Sequence, residues 1–237
     1  MKICVVGLGY IGLPTAALFS MKGYSVLGVD INLDIVNSVN KGVSPIGEPS
    51  LEDVIKKVVN KGSLKASIKP CYSDIFVIAV PTPIKKHKNL PKPNLIFLED
   101  AIESIIPFLK KGNIIIIEST SPVGTTKKLF SKIIEKTNLK EDQIYMAYCP
   151  ERVLPGRIMI EISTNKRIIG GINDNSSSKI RKIYNKLCES EIFVTDSETA
   201  ELVKLAENSY RDLNIAFANE LSIISSKLGI DVNEVIN

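Results

Sequence analysis

The sequence predicts an α/β protein in which a doubly wound parallel sheet is followed by a long helix. Apolar, β-branched runs alternate with stretches of helical periodicity over most of the chain. Two of these runs, FVIAV (76–80) and NIIIIE (113–118), lack the polar alternation of half-exposed strands, as expected of strands that helices cover on both faces. The stretch 198–228 contains neither glycine nor proline, which favours one continuous helix.

The first βαβ unit is predicted from residues 2–29. A strand at 2–6 leads into a helix at 11–22 that carries small residues, and a second strand at 25–29 ends at Asp30.

Similar elements continue along the chain and are expected to extend one parallel sheet. Further helices are predicted at 33–41, 51–59, 96–109, 124–136 and 179–187, and further strands at 75–80, 113–117, 144–147, 167–170 and 192–195. A proline-rich loop is predicted after the strand at 144–147.

The helix at 198–228 carries apolar residues at helical spacing, and Gly229 is expected to end it. Roughly 30 residues at ~1.5 Å each make a rod of about 45 Å, which is long for one compact domain. We therefore expect a sheet domain at 1–196 and, at 197–237, a central helix that begins a second region. A further domain is expected to lie outside this chain.

Composition excludes several classes of function. The chain has 237 residues and a formal charge of only +4, without a basic stripe interleaved with aromatic residues, so no nucleic acid partner is expected. The four cysteines are far apart, which disfavours a zinc site and a disulfide framework and favours a reducing cytoplasm. The apolar start is interrupted by glycines, and no other stretch is long and apolar enough for a membrane, so no membrane partner is expected.

The motif GLGYIG follows the first predicted strand and opens the first helix. Gly7 allows a tight turn, Gly9 lets a pyrophosphate approach the backbone, and Gly12 permits close packing of helix and strand. Asp30 at the tip of the next strand can accept hydrogen bonds from both ribose hydroxyls and would repel a 2′-phosphate. The motif therefore predicts a Rossmann-like fold that binds NAD rather than NADP, with glycine packing alone as the alternative.

Two further loops, VPTP (80–83) and STSPVGTT (119–126), each follow the carboxyl end of a predicted strand. Ligands bind at that edge of a doubly wound sheet, so Thr82 and Thr120 are candidates to contact cofactor or substrate. The alternative is that these hydroxyls only cap the next helix.

The loop CPERVLPG (149–156) offers Glu151 as a general base and Arg152 as a clamp for phosphate or carboxylate. A surface ion pair is the alternative. Cys149 is interpreted as a buried structural thiol because no histidine accompanies it. The single histidine, His87, lies in the run KKHKN (85–89), which we interpret as a solvated loop, so dehydrogenases that use a histidine base or histidine-bound zinc are disfavoured.

On the long helix, Lys204, Asn208 and Arg211 fall at i, i+4 and i+7 and therefore share one face. A partly desolvated Lys204 would have a lowered pKa and handle a hydroxyl proton, while Asn208 orients the same oxygen. The alternative is that these side chains merely extend their polar ends into water. No tyrosine is followed four places later by lysine, which excludes the usual short-chain dehydrogenase pair.

Together these segments resemble the nucleotide-sugar 6-dehydrogenase family, the UDP-glucose and GDP-mannose dehydrogenase group. The segments that carry the resemblance are GLGYIGLPTA, AVPTP, ESTSPVG, AYCPERVLPG and KLAENSYRDLNIAFANEL. It extends over the whole chain. UDP-glucose enzymes have PEF where this chain has PER at 150–152, and a glutamate where it has Pro155, which points to an N-acetylated sugar.

The resemblance implies roles for particular residues. NAD would be contacted by Tyr10, Ile11, Asp30, Thr82 and Thr120. The UDP-sugar would be held by Arg152, Val153, Lys204, Asn208 and Arg211. Lys204, Asn208, Glu151 and Thr120 would serve catalysis: the lysine and the asparagine would stabilise negative charge on oxygen, and Glu151 would help activate water. No metal is implied.

The implied reaction oxidises C6 of a UDP-N-acetylhexosamine from alcohol to carboxylate in two hydride transfers to NAD, for polysaccharide biosynthesis. A cysteine beyond Asn237 would trap the aldehyde and form a thioester. This chain alone is therefore expected to bind NAD without completing catalysis. The apolar remainder of the long helix would form a homodimer core, and a UDP-binding domain would follow.

Three alternatives stay open. The sugar is expected to be the manno epimer, with the gluco epimer as the alternative. A β-hydroxyacid dehydrogenase of the 6-phosphogluconate type also carries Lys-x-x-x-Asn after a Rossmann domain, but the loop at 149–156 tells against it. A non-enzymatic NAD-sensing or dimerisation module is the third.

Overall fold

The computed structural model of the protein describes residues 1–85, 91–154 and 156–237. His87 and Pro155 lie outside the described residues, so their sequence-based interpretations stay predictions. The strands of the described residues are β1 (Lys2–Val6), β2 (Ser25–Val29), β3 (Leu64–Ser67), β4 (Ile75–Ile78), β5 (Ile84–Lys85), β6 (Lys92–Pro93), β7 (Ile114–Ile117), β8 (Tyr145–Tyr148), β9 (Arg167–Gly171) and β10 (Ile192–Asp196). The α-helices are α1 (Gly12–Met21), α2 (Leu33–Asn40), α3 (Pro49–Asn60), α4 (Ile96–Ile105), α5 (Thr125–Lys136), α6 (Ile158–Thr164), α7 (Asp174–Tyr184), α8 (Ser197–Leu228) and α9 (Val232–Ile236).

Eight of these strands form one mostly parallel sheet in the order β10-β9-β8-β7-β4-β1-β2-β3. Side chains of β1 alternate between two buried clusters, with Ile3 and Val5 on one face and Cys4 and Val6 on the other. Helices α1, α3, α6 and α7 cover the first face, and α4, α5 and the start of α8 cover the second. The predicted doubly wound α/β class is confirmed.

The expectation that every strand is parallel was wrong at one end of the sheet. Strand β9 pairs with β8 in the antiparallel direction, and β10 runs parallel to β9. The chain between β8 and β9 contains an irregular loop and only a seven-residue helix, α6, in place of the long crossover helix that usually returns a chain for parallel pairing. The first residue of β9 therefore lies at the edge where β8 ends.

Several short elements were absent from the sequence-based prediction. Strands β3, β5 and β6 and helices α6 and α9 occupy stretches whose apolar periodicity is too short to recognise. Helix α7 starts at Asp174 rather than at 179, because the Asn173 side chain accepts a hydrogen bond from the Ser176 N–H at 2.8 Å and so caps a serine-rich first turn.

Helix α8 agrees with its prediction at both ends. It has 32 residues, Asp196 caps its start by accepting from the Thr199 N–H at 2.9 Å, and Gly229 at φ 71° ends it. One face of the first turns is buried, whereas Tyr210 and Phe217 are 71% and 70% exposed. The helix therefore packs on the sheet at its start and extends away from that contact.

Glu201 joins α8 to the amino end of α5. The fully buried carboxylate accepts from the Gly124 N–H at 2.6 Å, and from the N–H and the hydroxyl of Thr126 at 2.8 and 2.6 Å. These N–H groups belong to a helix start that has no side-chain cap of its own. No sequence pattern indicated this role.

We expect Glu201→Ala to lower the free energy of unfolding by roughly 2–4 kcal/mol, because it leaves buried N–H and hydroxyl groups without partners. Urea unfolding of the purified protein measures this. Glu135→Ala, at an exposed position of α5, is the matched control and should stay within about 0.5 kcal/mol of the wild type. Equal unfolding midpoints for the two variants would contradict the assigned role.

Candidate functional site

The glycines of the GLGYIG loop have different spatial requirements. Gly7 adopts φ +95°, and a Cβ there would lie 2.4 Å from the Ala79 carbonyl oxygen. A Cβ on Gly12 would lie 1.8 Å from the Gly7 carbonyl oxygen. A Cβ on Gly9, in contrast, meets no atom within 4 Å. Folding therefore requires glycine at 7 and 12, whereas the space beside Gly9 is open to a ligand.

Asp30 is held beside this loop at the tip of β2. Its carboxylate accepts from the N–H groups of Leu8 and Asn32, each at 2.9 Å. A cavity of about 470 Å³ adjoins it, bounded by the glycine loop, Ile31 and one side of α4. Among the described residues that line this cavity there are two aspartates and no cation. This charge distribution favours a ribose with free hydroxyls over one that carries a 2′-phosphate.

The amino end of α1 points its partial positive charge at the same loop. Ile11, which precedes the helix, makes no side-chain cap, and the first turn has no acidic residue. Backbone N–H groups at such an end are suited to bind phosphate. Tyr10 is partly exposed there, and its hydroxyl donates to Glu48 at 2.9 Å.

The two threonine loops are joined to each other at the carboxyl ends of β4 and β7. The Ser119 hydroxyl accepts from the Val80 N–H at 2.9 Å and donates to the Val80 carbonyl oxygen at 2.8 Å. The Thr82 hydroxyl donates to the Thr120 carbonyl oxygen at 2.6 Å. Thr82 thus ties two loops together instead of capping a helix, and Thr120 is held half-buried beside it.

In the loop at 149–156, Glu151 and Arg152 do not pair with each other. The buried Glu151 carboxylate forms an ion pair with Arg167 and accepts from the Arg152 N–H at 2.8 Å. The Arg152 guanidinium pairs with Glu207 of α8 and donates to the Lys166 carbonyl oxygen. The Glu151 ion pair is thus buried, whereas the pair of Arg152 with Glu207 is partly exposed, so the alternative of a surface ion pair describes Arg152 and not Glu151.

Beneath that loop lies a buried polar cluster centred on Arg167. Its Nε donates to the Cys188 sulfur at 3.0 Å, and its guanidinium lies 4.8 Å from the centre of the Tyr184 ring. The Tyr184 hydroxyl donates in turn to Glu118 at 2.9 Å. Burial raises the pKa of Glu118 to about 7, and burial likewise raises the pKa of the Cys149 thiol to about 12. Such a thiol stays protonated, in agreement with the structural role predicted for Cys149.

Lys204 reaches this loop from α8. Its side chain is 8% exposed, and Nζ donates to the Glu151 carbonyl oxygen at 2.8 Å. Desolvation by burial lowers the pKa of Lys204, as expected from its sequence context. Asn208 follows half-buried on the next turn, and Arg211 is exposed beyond it.

Arg152 and Arg211 line an open groove of about 630 Å³ beside these residues. Its other lining residues are Asn165, Lys166, Glu207, Tyr210 and Asn214. The side chain of Val153 does not line it but packs against the core, so a ligand would meet the backbone of that residue. Of the predicted substrate residues, Arg152 and Arg211 line this groove, whereas Val153, Lys204 and Asn208 are not among its lining residues. None of the five lines the cavity at Asp30.

Sequence reasoning missed three residues that hold this site together, namely Glu48, Glu161 and Arg167. Glu48 accepts from the Gly156 N–H at 2.6 Å, and Glu161 accepts from the Leu154 N–H at 2.7 Å. All three lie outside the motifs. Glu48 precedes a proline, Glu161 lies in a short helix and Arg167 begins a strand, and a single charged residue in such a place has no sequence pattern that predicts its partner.

Within residues 1–85, 91–154 and 156–237, no helix is long and apolar enough to cross a membrane, and no three metal-binding side chains come together. The cytoplasmic location stays a prediction.

Comparison with protein families gives two matches. Residues 1–188 match the NAD binding domain of the UDP-glucose/GDP-mannose dehydrogenase family, and residues 198–237 match the central domain of that family. The domain boundary predicted between residues 196 and 197 lies between these two matched ranges and stays a prediction.

Comparison with individual proteins points the same way. A UDP-N-acetyl-D-mannosamine dehydrogenase of Campylobacter jejuni is 48% identical over 99% of this chain and 59% of that protein. The UDP-N-acetyl-mannosamine dehydrogenase structure from Staphylococcus aureus is 44% identical with a TM-score of 0.91, and covers 100% of this chain and 57% of that one. A UDP-D-ManNAc dehydrogenase from Pyrococcus horikoshii is 41% identical with a TM-score of 0.93, covering 100% and 56%. The chain thus spans somewhat more than half the length of these relatives.

We expect Gly9→Ala to weaken NAD binding at least about tenfold while it changes the free energy of unfolding by less than about 1 kcal/mol, because the added methyl group occupies ligand space only. Titration of NADH fluorescence and urea unfolding measure the two quantities. Gly12→Ala is the contrast: its Cβ meets backbone, so it should lose stability as well. Wild-type NAD affinity in Gly9→Ala would show that the ligand does not approach this residue.

Proposed function

This chain belongs to the UDP-glucose/GDP-mannose dehydrogenase family, and we propose that the enzyme of which it forms part oxidises C6 of UDP-N-acetyl-D-mannosamine to the carboxylate with NAD. The observation that carries the proposal is the buried Lys204 ammonium, held on the Glu151 carbonyl oxygen beside a groove lined by Arg152 and Arg211. Relatives named for this substrate support the choice of sugar.

The residues at the first cavity fit NAD. The open space at Gly9 and the uncapped start of α1 suit a pyrophosphate, while Asp30 suits the ribose hydroxyls. When bound, NAD accepts hydride from the carbon that is oxidised. Oxidation of an alcohol to a carboxylate removes four electrons, so one sugar and one water yield two NADH and three protons.

Lys204 would act on the oxygen of C6. A lysine with a lowered pKa releases its proton more readily than an ordinary lysine, so its amine form can take up a hydroxyl proton, and its ammonium form stabilises negative charge that develops on that oxygen. Asn208, one turn away, would donate its amide hydrogen to the same oxygen. Arg211 and Arg152 would hold the charged diphosphate part of the substrate.

Lys204 donates its hydrogen bond to the backbone carbonyl oxygen of Glu151 and not to the Glu151 carboxylate. The carboxylate is engaged with Arg167 and with the Arg152 N–H. Its predicted role in activating water therefore requires it to leave the ion pair with Arg167. Thr120 stays a candidate through its place beside Thr82 at the carboxyl edge of β7.

We expect the full-length enzyme to form about two NADH for each UDP-N-acetyl-D-mannosamine consumed, because the conversion removes four electrons. We expect no NADH with the gluco epimer. Absorbance of NADH against sugar consumed measures the ratio. About one NADH per sugar would instead indicate a hydroxyacid-type reaction, and NAD binding without turnover of any UDP-sugar would indicate a sensing module.

Lys204→Met connects this test to the site. It keeps an unbranched apolar stem and removes the ammonium group, so kcat should fall at least about 100-fold. Lys111→Met, at an exposed turn, is the control and should keep the wild-type rate. Full activity in Lys204→Met would exclude the proposed role.

We also propose that a second copy of the chain packs on the exposed part of α8. Leu213, Phe217, Ile224 and Leu228 lie at i, i+4, i+11 and i+15, on one stripe of the helix, and are 69%, 70%, 50% and 67% exposed. Burial of such a stripe of large apolar side chains against another stripe of the same kind lowers the free energy and so favours association.

We expect light scattering after gel filtration to give twice the chain mass for the wild type and a substantial monomer fraction for Phe217→Glu, because the carboxylate would be buried in the interface. Ser222→Glu, on the opposite side of α8 and also exposed, is the control and should remain dimeric. A monomeric wild type, or a Phe217→Glu variant that is as dimeric as the wild type, would refute the interface.

A further inference from the structure

Glu48 connects two loops that, in the proposed function, bind different ligands. It lies just before α3, and its carboxylate is 4% exposed. Oε1 accepts from the Tyr10 hydroxyl of the glycine loop at 2.9 Å and from the N–H of Gly156 at 2.6 Å. Gly156 ends the loop at 149–156, which lies 108 residues further along the chain. One oxygen atom therefore holds both loops.

The second oxygen of Glu48 has a different environment. Oε2 is buried without a hydrogen-bond partner among the described residues. A buried carboxylate in this state costs free energy that a neutral side chain would avoid. The charge does strengthen the two hydrogen bonds on Oε1, since bonds to an ionised acceptor are roughly twice as strong as neutral ones. The arrangement therefore gives strong hydrogen bonds between the loops, at the free-energy cost of a buried oxygen without a partner.

Both donors are suited to a lasting link. Burial and the hydrogen bond to Glu48 raise the pKa of Tyr10 to about 12, so its hydroxyl remains a donor at neutral pH. Gly156 adopts φ +89°, a conformation that other residues adopt only with strain. The other carboxylate that holds this loop, Glu161, bonds the Leu154 N–H. Of these two carboxylates, Glu48 is the one that also bonds the glycine loop.

We propose that Glu48 is a positioning residue that couples the glycine loop to the loop at 149–156, so that the dinucleotide and the UDP-sugar bind with positive cooperativity. This inference rests on the proposed function of the two loops. A pyrophosphate at Gly9 orders the neighbouring Tyr10, and through Glu48 it orders Gly156 as well. The ligand that binds second then has less ordering to complete, and linkage requires the effect to be equal in both directions.

The test measures the dissociation constant of NADH for the full-length enzyme, with and without saturating UDP-N-acetyl-D-mannosamine. These two ligands do not react with each other, because both the cofactor and the sugar are in their reduced forms. We expect the sugar to tighten NADH binding at least about fivefold in the wild type, and NADH to tighten sugar binding by the same factor.

Glu48→Ala should reduce both factors to about one, and Glu48→Gln, which keeps an acceptor oxygen without the charge, should give an intermediate factor. Glu52→Ala, at an exposed position of the same helix start, is the matched control and should keep the wild-type factor. A general loss of structure would weaken each ligand alone, whereas the proposed role changes the ratio.

Wild-type coupling in Glu48→Ala, or no coupling in the wild type, would overturn the inference. If Glu48→Ala does not fold, Glu48→Gln decides, and an undiminished factor in that variant overturns it. Failure of the wild type to bind NADH at all would overturn the proposed function together with this inference, and is thereby distinguished from a loss of coupling alone.

Discussion

Strand β9 runs antiparallel to β8, and the geometry of the candidate site follows from this pairing. Because Tyr148 lies opposite Gly170, the chain that continues past β8 comes level with the beginning of β9. Glu151 and Arg167 therefore meet, and their ion pair is buried. A parallel β9 would have placed Arg167 at the opposite edge of the sheet and left the Glu151 carboxylate without a cation.

The direction of β10 carries this arrangement into α8. Since β10 is parallel to β9, it ends at the edge away from the site, and α8 must run back past the sheet. Glu201 is then beside the start of α5, and Lys204 reaches the Glu151 carbonyl oxygen one turn later. The burial of both charged side chains is offset by hydrogen bonds to backbone groups that would otherwise lack partners.

Carboxylates from three separate elements hold the loop at 149–156. Glu48 bonds its end, Glu161 bonds the Leu154 N–H, and Glu207 pairs with Arg152. The links of this loop also extend to the glycine loop and to α8, so the cavity at Asp30 and the groove at Arg211 share one framework.

The sequence by itself determined the features that depend on neighbouring residues: the glycine turn after β1, the alternation of buried strands and helices, and the uninterrupted run of α8 with the glycine that ends it. Backbone conformation and periodicity are local, so a motif can specify them. Only the tertiary structure decided the direction of β9, the partners of Glu151 and Arg152, and the link through Glu48. Those contacts join residues far apart in the chain, and hydrophobic periodicity carries no information about which strand edge a charged side chain will meet.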